Sequence, residues 1–384
     1  MKKFLFSVAV MAMGANLLTG CMKDNPNNFP PADIIVTKGV FVVNNGNVNQ
    51  SIDGSLTYLD QTTSATAEKD IYKKVNGKSL GGTSNDVIVY GQKVYIVGSD
   101  ENAIFVLDVR NCKELKRVST TDLLGDAEGN TPRRIAAYED KVYFTTYGGY
   151  VAAIDTTKYE LKQKYKVGSA PEGLTFGINS SDIVTLYVAN SDFGYGEGSI
   201  SKIDIASGSV MEIKNDKVEY PQEIAVAGDV LYVLDWGHYN DDYSQQVDAG
   251  VYMMSGNDAE LVVPDVTGMA TAGYMIYTFS DPWGGSGATY STYDINSNNL
   301  STLNLSGDSD HQLISPCAIS VDLNTGYIYI ASRPLDPDTG YPSYAMPGFV
   351  NIYSNSGQYL ESFETGVEPH KIEPFHGTAK VIFN

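Results

Sequence analysis

Cysteine, histidine and tryptophan are all scarce in this 384-residue chain, with three, four and two copies. Three cysteines cannot supply a disulfide scaffold. Basic residues are also few: 26 Lys and Arg stand against 46 Asp and Glu, a formal charge of −20. So acidic a chain repels phosphate backbones, which argues against nucleic acid as a partner. Beyond the N-terminus no apolar run is long enough to cross a bilayer. Nor is there a Gly-x-Ser-x-Gly elbow, a His-Glu-x-x-His or Cys-x-x-Cys pair, or a phosphate-binding loop, so a binding protein rather than an enzyme is expected.

What is present begins with a targeting segment. Lys2 and Lys3 precede an apolar stretch over residues 4–18, which is too short to span a membrane comfortably. It closes on Leu18-Thr19-Gly20-Cys21, which resembles the lipobox of bacterial lipoproteins. That resemblance implies removal of residues 1–20, lipidation of Cys21, and membrane attachment through lipid alone. Losing Lys2 and Lys3 makes the mature chain two charges more acidic. Residues 21–32 are polar and proline-rich and read as a flexible tether. Lys23 and Asp24 resemble the signal that sends lipoproteins to the outer face of the outer membrane in gut anaerobes, so an exterior-facing outer-membrane location is expected.

Residues 33–384 carry a repeat. An aromatic flanked by apolar residues recurs at Phe41, Tyr95, Tyr143, Tyr187, Tyr232, Tyr277 and Tyr329, spaced 44 to 54 residues apart. Periods of this length mark propellers or solenoids, and the β-branched and aromatic enrichment makes the units sheets. Before the aromatic strand lies Pro-x-x-apolar, as at Pro132, Pro171, Pro221 and Pro316, with a further copy at Pro369; after it come a strand usually ending in Asp and a more polar strand. Four strands per unit make a propeller blade. The first unit lacks its Pro-x-x strand, and the copy at Pro369 follows the last complete unit. The fold class is therefore all-β: a seven-bladed β-propeller of four-stranded blades, its ring closed by pairing of N- and C-terminal segments. The trailing segment 380–384 has a strand-like pattern without an assigned place.

In such a blade the turn between the first two strands lies on one face. The connections between strands two and three, and between blades, lie on the other. The former are short here, whereas segments 44–53, 190–198, 236–249, 281–288 and 333–348 are long loops, where binding usually resides. They carry Trp236, Trp283, Phe193, Tyr195, His238, Tyr239, Tyr243, Arg333, Tyr341 and Tyr344. The Pro-x-x segments bring Arg133, Arg134, Glu172, Gln222, Glu223, His370 and Lys371 to the same channel mouth, joined by His311. An aromatic rim around a polar floor suits a large flat or amphipathic ligand, or a protein. Asn85, Glu172, Glu223 and His370 could in principle hold a metal, but pairing of the carboxylates with Arg133 or Arg134 is the preferred reading. Asp336 to Gly340 resembles the opening of a calcium loop, though an Asp-Pro turn explains it better. The glycine-rich run after Trp283 reads as a hairpin loop. Cys112 and Cys317 fall on opposite faces, so no disulfide between them is expected.

This pattern resembles YncE-like and NHL-like propellers, and most of all the surface lipoproteins of gut Bacteroidota that capture cobalamin (vitamin B12) and cap a TonB-dependent transporter. The resemblance implies cobalamin as ligand, no required cofactor, and an outer-membrane transporter as partner. It sets Trp236, Trp283, Tyr239, Tyr341 and Tyr344 beside the corrin or its nucleotide loop. It sets Arg133, Arg134, Glu172, Gln222, Glu223 and His370 on the amide side chains. The alternatives are a glycan-binding lipoprotein, a metal-dependent propeller lactonase or lyase, and a scaffold whose rim meets only protein.

Overall fold

A computed structural model describes residues 32–63, 66–178, 182–239, 246–281, 287–307 and 311–381. The signal segment, Cys21 with the tether to residue 31, Tyr243, Trp283 with Gly284 and Gly285, and residues 382–384 lie outside the described residues, as does the side chain of Tyr239.

Seven antiparallel sheets form the ring. Six are four-stranded and follow the chain, from Ser84–Tyr90 outward to Glu114–Ser119 in the second blade through to Ser315–Val321 outward to Tyr359–Val367 in the seventh. The first blade is composite. Its inner strand, Pro369–Val381, pairs antiparallel with Ala32–Asn44, which in turn pairs with Ser55–Asp60. The two chain ends thus close the ring as expected, and residues 380 and 381 continue the inner strand. The fourth strand of this blade shrinks to one bridge, Tyr58↔Glu68. The chain then turns into the helix Ile71–Asn76, capped by Asp70, and buries Tyr72 edge-on against Phe105.

The repeated aromatics explain why the blades stack. Each second strand is buried on both faces, as in Lys93–Gly98, because a blade on either side covers it. Phe41 packs with Val87 and Ile96 of the second blade, and Tyr95 with Val142 of the third. Tyr143 packs with Leu186, Tyr187 with Val233, Tyr232 with Ile276 and Tyr277 with Ile328. Tyr329 meets Val40 of the first blade, completing the circuit. Seven apolar clusters therefore fill seven gaps between blades, and the ring needs no single central core. Radial closure leaves only short outer edges, which keeps so much sheet from pairing with other chains.

Candidate ligand-binding face

The Pro-x-x motif has a structural cause. In the second, third, fourth, fifth and seventh blades the inner strand carries a register irregularity against its neighbour just inside its first residue. A similar shift, between Val43 and Asn44, separates Lys371 from Pro369 in the first blade. Such a bulge re-aims the side chains it holds. Here it brings the second and third residues of each strand to the channel mouth. The sixth blade, with Gly268 and no proline, pairs regularly. Thr131, Ala170 and Glu368, each directly before a proline, are left-handed, with φ of 46°, 48° and 57°. Such residues are uncommon and gather at functional sites.

Charges at the mouth are mostly paired. Nε of Arg133 lies 3.1 Å from both carboxylate oxygens of Glu172, whose side chain is nearly inaccessible, and Tyr147 donates its hydroxyl to the same carboxylate. The Arg133 guanidinium stacks 4.7 Å from the Tyr147 ring centroid, and Tyr147 meets Phe193 edge-on at 4.8 Å. Asn85 donates to the Arg133 carbonyl at 2.8 Å. Across the ring, Arg333 holds Glu368 at 2.7 Å and Asp281 at 3.5 Å, and lies 4.9 Å from the ring of Tyr344.

Arg134 makes the least local contact. It reaches over the fourth blade to Glu223 of the fifth, 3.7 Å away. The intervening third position is Gly173, packed so closely on the fifth blade that an added Cβ would stand 2.8 Å from the Gln222 carbonyl. Below the mouth, the channel holds a cavity of about 300 Å³ lined by Asp86, Arg134, Glu223, Lys371 and Glu373 among others. Glu373 accepts the Val89 amide at 3.0 Å, and burial pushes its carboxyl up to about 7.

The loop residues fall into three settings. Tyr195, Tyr341 and Tyr344 are strongly exposed, at 82, 65 and 53 %. Phe193 is exposed too, leaning on Tyr147. Leu335, Met346 and Val48 extend the exposed apolar area around Tyr344, whose carbonyl accepts from Asn47 at 2.7 Å. Trp236, by contrast, is half-buried. Its indole N–H donates to the Thr267 carbonyl at 3.0 Å and its ring meets Tyr220 edge-on, so it splices the fifth blade to the sixth. Gln222 is buried at the mouth. His238 is exposed and lies 3.1 Å from Glu219, while His311 packs on Phe349 with Nδ1 3.2 Å from Ser362. The Phe193–Tyr195 pair and the Tyr341–Tyr344 pair belong to the fourth and seventh blades, on opposite sides of the mouth.

At the start of the fifth-blade loop, Asp235 is fully buried and accepts the amides of Tyr220 and Gly237 at 2.9 and 2.6 Å. Burial pushes its carboxyl up to about 7. Sequence reasoning missed Tyr147, Glu368 and Gly173. Glu368 directly precedes the Pro-x-x segment it serves and was within reach of that pattern, whereas the role of Gly173 needs the neighbouring blades.

Among the described residues, no group of three or more His, Cys, Asp or Glu side chains converges as metal ligands would. Of the four residues considered for a metal, Glu172 is engaged by Arg133 and Tyr147, and Glu223 pairs with Arg134. The Asp336 turn spends a carboxylate oxygen on the amides of Asp338 and Thr339, at 2.8 and 3.1 Å. Cys112, buried at a turn on the far side, and Cys317, on an inner strand, are both free thiols.

Residues 38–185 match a family described as a domain of unknown function, DUF5074. The fold is a β-propeller. Hydrazine synthase of Kuenenia stuttgartiensis is similar to it, with a TM-score of 0.56 at 13 % identity over 85 % of this chain and 100 % of that one. The WD40 repeats of RRP9 are similar with a TM-score of 0.53 at 10 % identity, over 74 % of this chain and 81 % of that one. At such identities the likeness concerns fold alone. No curated protein matches the chain.

Proposed function

We propose that this propeller is a binding protein that captures a nutrient on its loop-bearing face. In this reading it is lipid-anchored through Cys21 at the outside of the outer membrane. The ligand is cobalamin, handed on to a TonB-dependent transporter. One observation carries the choice of face: exposed Tyr195, Tyr341 and Tyr344 stand around a mouth floored by paired, largely inaccessible charges. Aromatic platforms take the flat apolar part of an amphipathic ligand, and fixed polar groups orient its hydrogen-bonding periphery. Pairing of Glu172 and Glu223 with arginines favours binding over metal-assisted hydrolysis, since carboxylates held by guanidinium groups are poor ligands for a cation.

The direct test is calorimetric titration of the soluble body, begun after Cys21, with cyanocobalamin. Saturable binding below micromolar that weakens in Tyr341→Ala and Tyr344→Ala supports capture on this face. No heat at tens of micromolar ends the cobalamin reading. Oligosaccharide binding under the same conditions would favour a glycan ligand stacked on the same tyrosines.

A further inference from the structure

A groove of about 440 Å³ opens on the loop-bearing face between the third and fourth blades, where their outer strands end. That volume falls within the ~300–1,000 Å³ of small-molecule sites. One wall is the turn at residues 147–149 with residues 166–169; the other is Asp192 and Glu197 of the fourth-blade loop, with Glu212 and Lys214. The walls are tied together. The amides of Ser191 and Asp192 donate to the carbonyls of Ala170 and Ser169 at 3.0 and 3.1 Å, and the Val167 amide donates to the Gly149 carbonyl at 2.9 Å. The groove is therefore preformed, and a ligand need not order the loop before it enters.

The loop is held in a costly shape. Asp192 and Phe193 are consecutive non-glycine residues in the left-handed region, with φ of 46° and 54°. Strain of this kind in a bulky residue persists where its surroundings over-determine it, and it gathers at ligand sites. Phe193 is left 48 % exposed, edge-on to Tyr147 of the opposite wall, and Tyr195 stands beside it with ring centroids 6.4 Å apart. The groove itself is polar and mixed in sign. Lys166 and Lys214 face Asp192, Glu197 and Glu212, and Lys214 holds Glu197 at 2.9 Å. An excess of carboxylate disfavours an anion, and these acids do not converge as metal ligands would. The set suits hydroxyl groups, which donate to carboxylates and accept from ammonium groups. A pyranose ring carries such hydroxyls around its rim and has an apolar C–H face that fits against an aromatic ring.

We propose that this groove is a saccharide subsite, in which a neutral pyranose unit lies against Phe193 and its hydroxyls meet Asp192, Glu197, Lys166 and Lys214. The volume exceeds that of a single hexose, so an oligosaccharide is the fitting class. The subsite is separate from the cobalamin capture proposed above and does not rest on it. The two differ in place, because Tyr341 and Tyr344 belong to the seventh blade, across the mouth from Phe193.

The experiment is a saturation-transfer NMR titration of the full soluble body with maltotriose and, separately, with cellotriose. Sorbitol is the control, since it has the hydroxyls of a hexose but no ring face. The expected result is saturable binding of at least one trisaccharide in the micromolar-to-millimolar range, and none of sorbitol. Phe193→Ala should raise the dissociation constant about five- to tenfold, the worth of one stacked ring, and Phe193→Tyr should retain wild-type binding. Glu197→Gln, which removes a charge from the groove without touching the aromatic lip, should raise it about threefold. Tyr341→Ala and Tyr344→Ala should leave it unchanged, and an unchanged urea midpoint shows that each variant is folded. No binding of either trisaccharide, equal binding of sorbitol, or an unchanged constant in Phe193→Ala would each overturn the proposal. Loss of binding in Tyr341→Ala rather than Phe193→Ala would move the sugar to the mouth and overturn it too. None of these outcomes bears on the cyanocobalamin titration, so the two readings fail separately.

Discussion

Nε2 of His376 lies 2.7 Å from Oδ1 of Asp322, joining the closing strand of the first blade to a turn of the seventh. Thr37 donates to the same carboxylate from the partner strand, and Thr325 donates to it at 2.8 Å. One inaccessible carboxylate thus gathers both chain ends at the seam of the ring. Burial alone would raise its pKa, but hydrogen bonds from His376, Thr37, Asn324 and Thr325 outweigh burial and hold it below the usual range.

Replacing Asp322 with Ala should therefore loosen the seam. Removing a buried acceptor leaves several donors unpaired, a loss of about 1–3 kcal/mol. The folded pKa is the lower one, so this contribution is present above the unfolded value of about 4 and is lost as pH falls through the folded one. Chemical denaturation of wild type and Asp322→Ala across pH 3 to 7 checks this, and the gap between them should narrow towards the acid end (~pH 3).

Glu373 behaves in the opposite sense. Burial raises its folded pKa to about 7; Asp86 adds to that, while the Val89 amide, Lys371 and His376 oppose it. Stability from the protonated form is full below the unfolded value of about 4 and is lost as pH rises through about 7. Glu373→Gln keeps the acceptor for Val89 and cannot ionise. Its melting temperature should exceed that of wild type at pH ~8 and approach it near pH ~4. Parallel curves for the two proteins would exclude ionisation of Glu373 as the cause of any alkaline loss.

The aromatic residues of the loop-bearing face should split into two classes. Tyr341→Ala and Tyr344→Ala change stability by no more than about 0.5 kcal/mol, being exposed. Trp236→Ala should cost about 2–4 kcal/mol, since it empties a packed site and strands the Thr267 carbonyl. Urea unfolding separates them, and a Trp236 variant as stable as wild type would refute its splicing role.

Cys317 offers a reporter at the mouth. Burial pushes its thiol up to about 12, so it reacts slowly at neutral pH. Alkylation followed by mass spectrometry should show slow modification that slows further when a ligand fills the mouth, while equal rates with and without ligand would place the ligand elsewhere.

Much of the architecture could be read in the chain because a propeller repeats one local solution. Tyr95, Tyr143 and Tyr329 each do the same work between blades, so a periodic aromatic stands out. Proline marks the bulged start of the inner strand for the same reason. The outer strand of the first blade did not follow the repeat, because Tyr72 and its helix take that space. The mouth was only partly legible. Pairing of Glu172 and Glu223 with Arg133 or Arg134 was anticipated, but which arginine takes which carboxylate was not, since Arg134 reaches past an intervening blade to Glu223. Trp236 looked like a rim residue from its place in a long loop; its hydrogen bond to Thr267 exists only once two blades are side by side.

The pairing of Ala32–Asn44 with Pro369–Val381 runs from the loop-bearing mouth at Asn44 and Pro369 to the short-turn side at Ala32 and Val381. Anything attached ahead of Ala32 therefore joins the ring at the side away from the tyrosine rim. A linker joined there leaves the mouth clear of its own point of attachment.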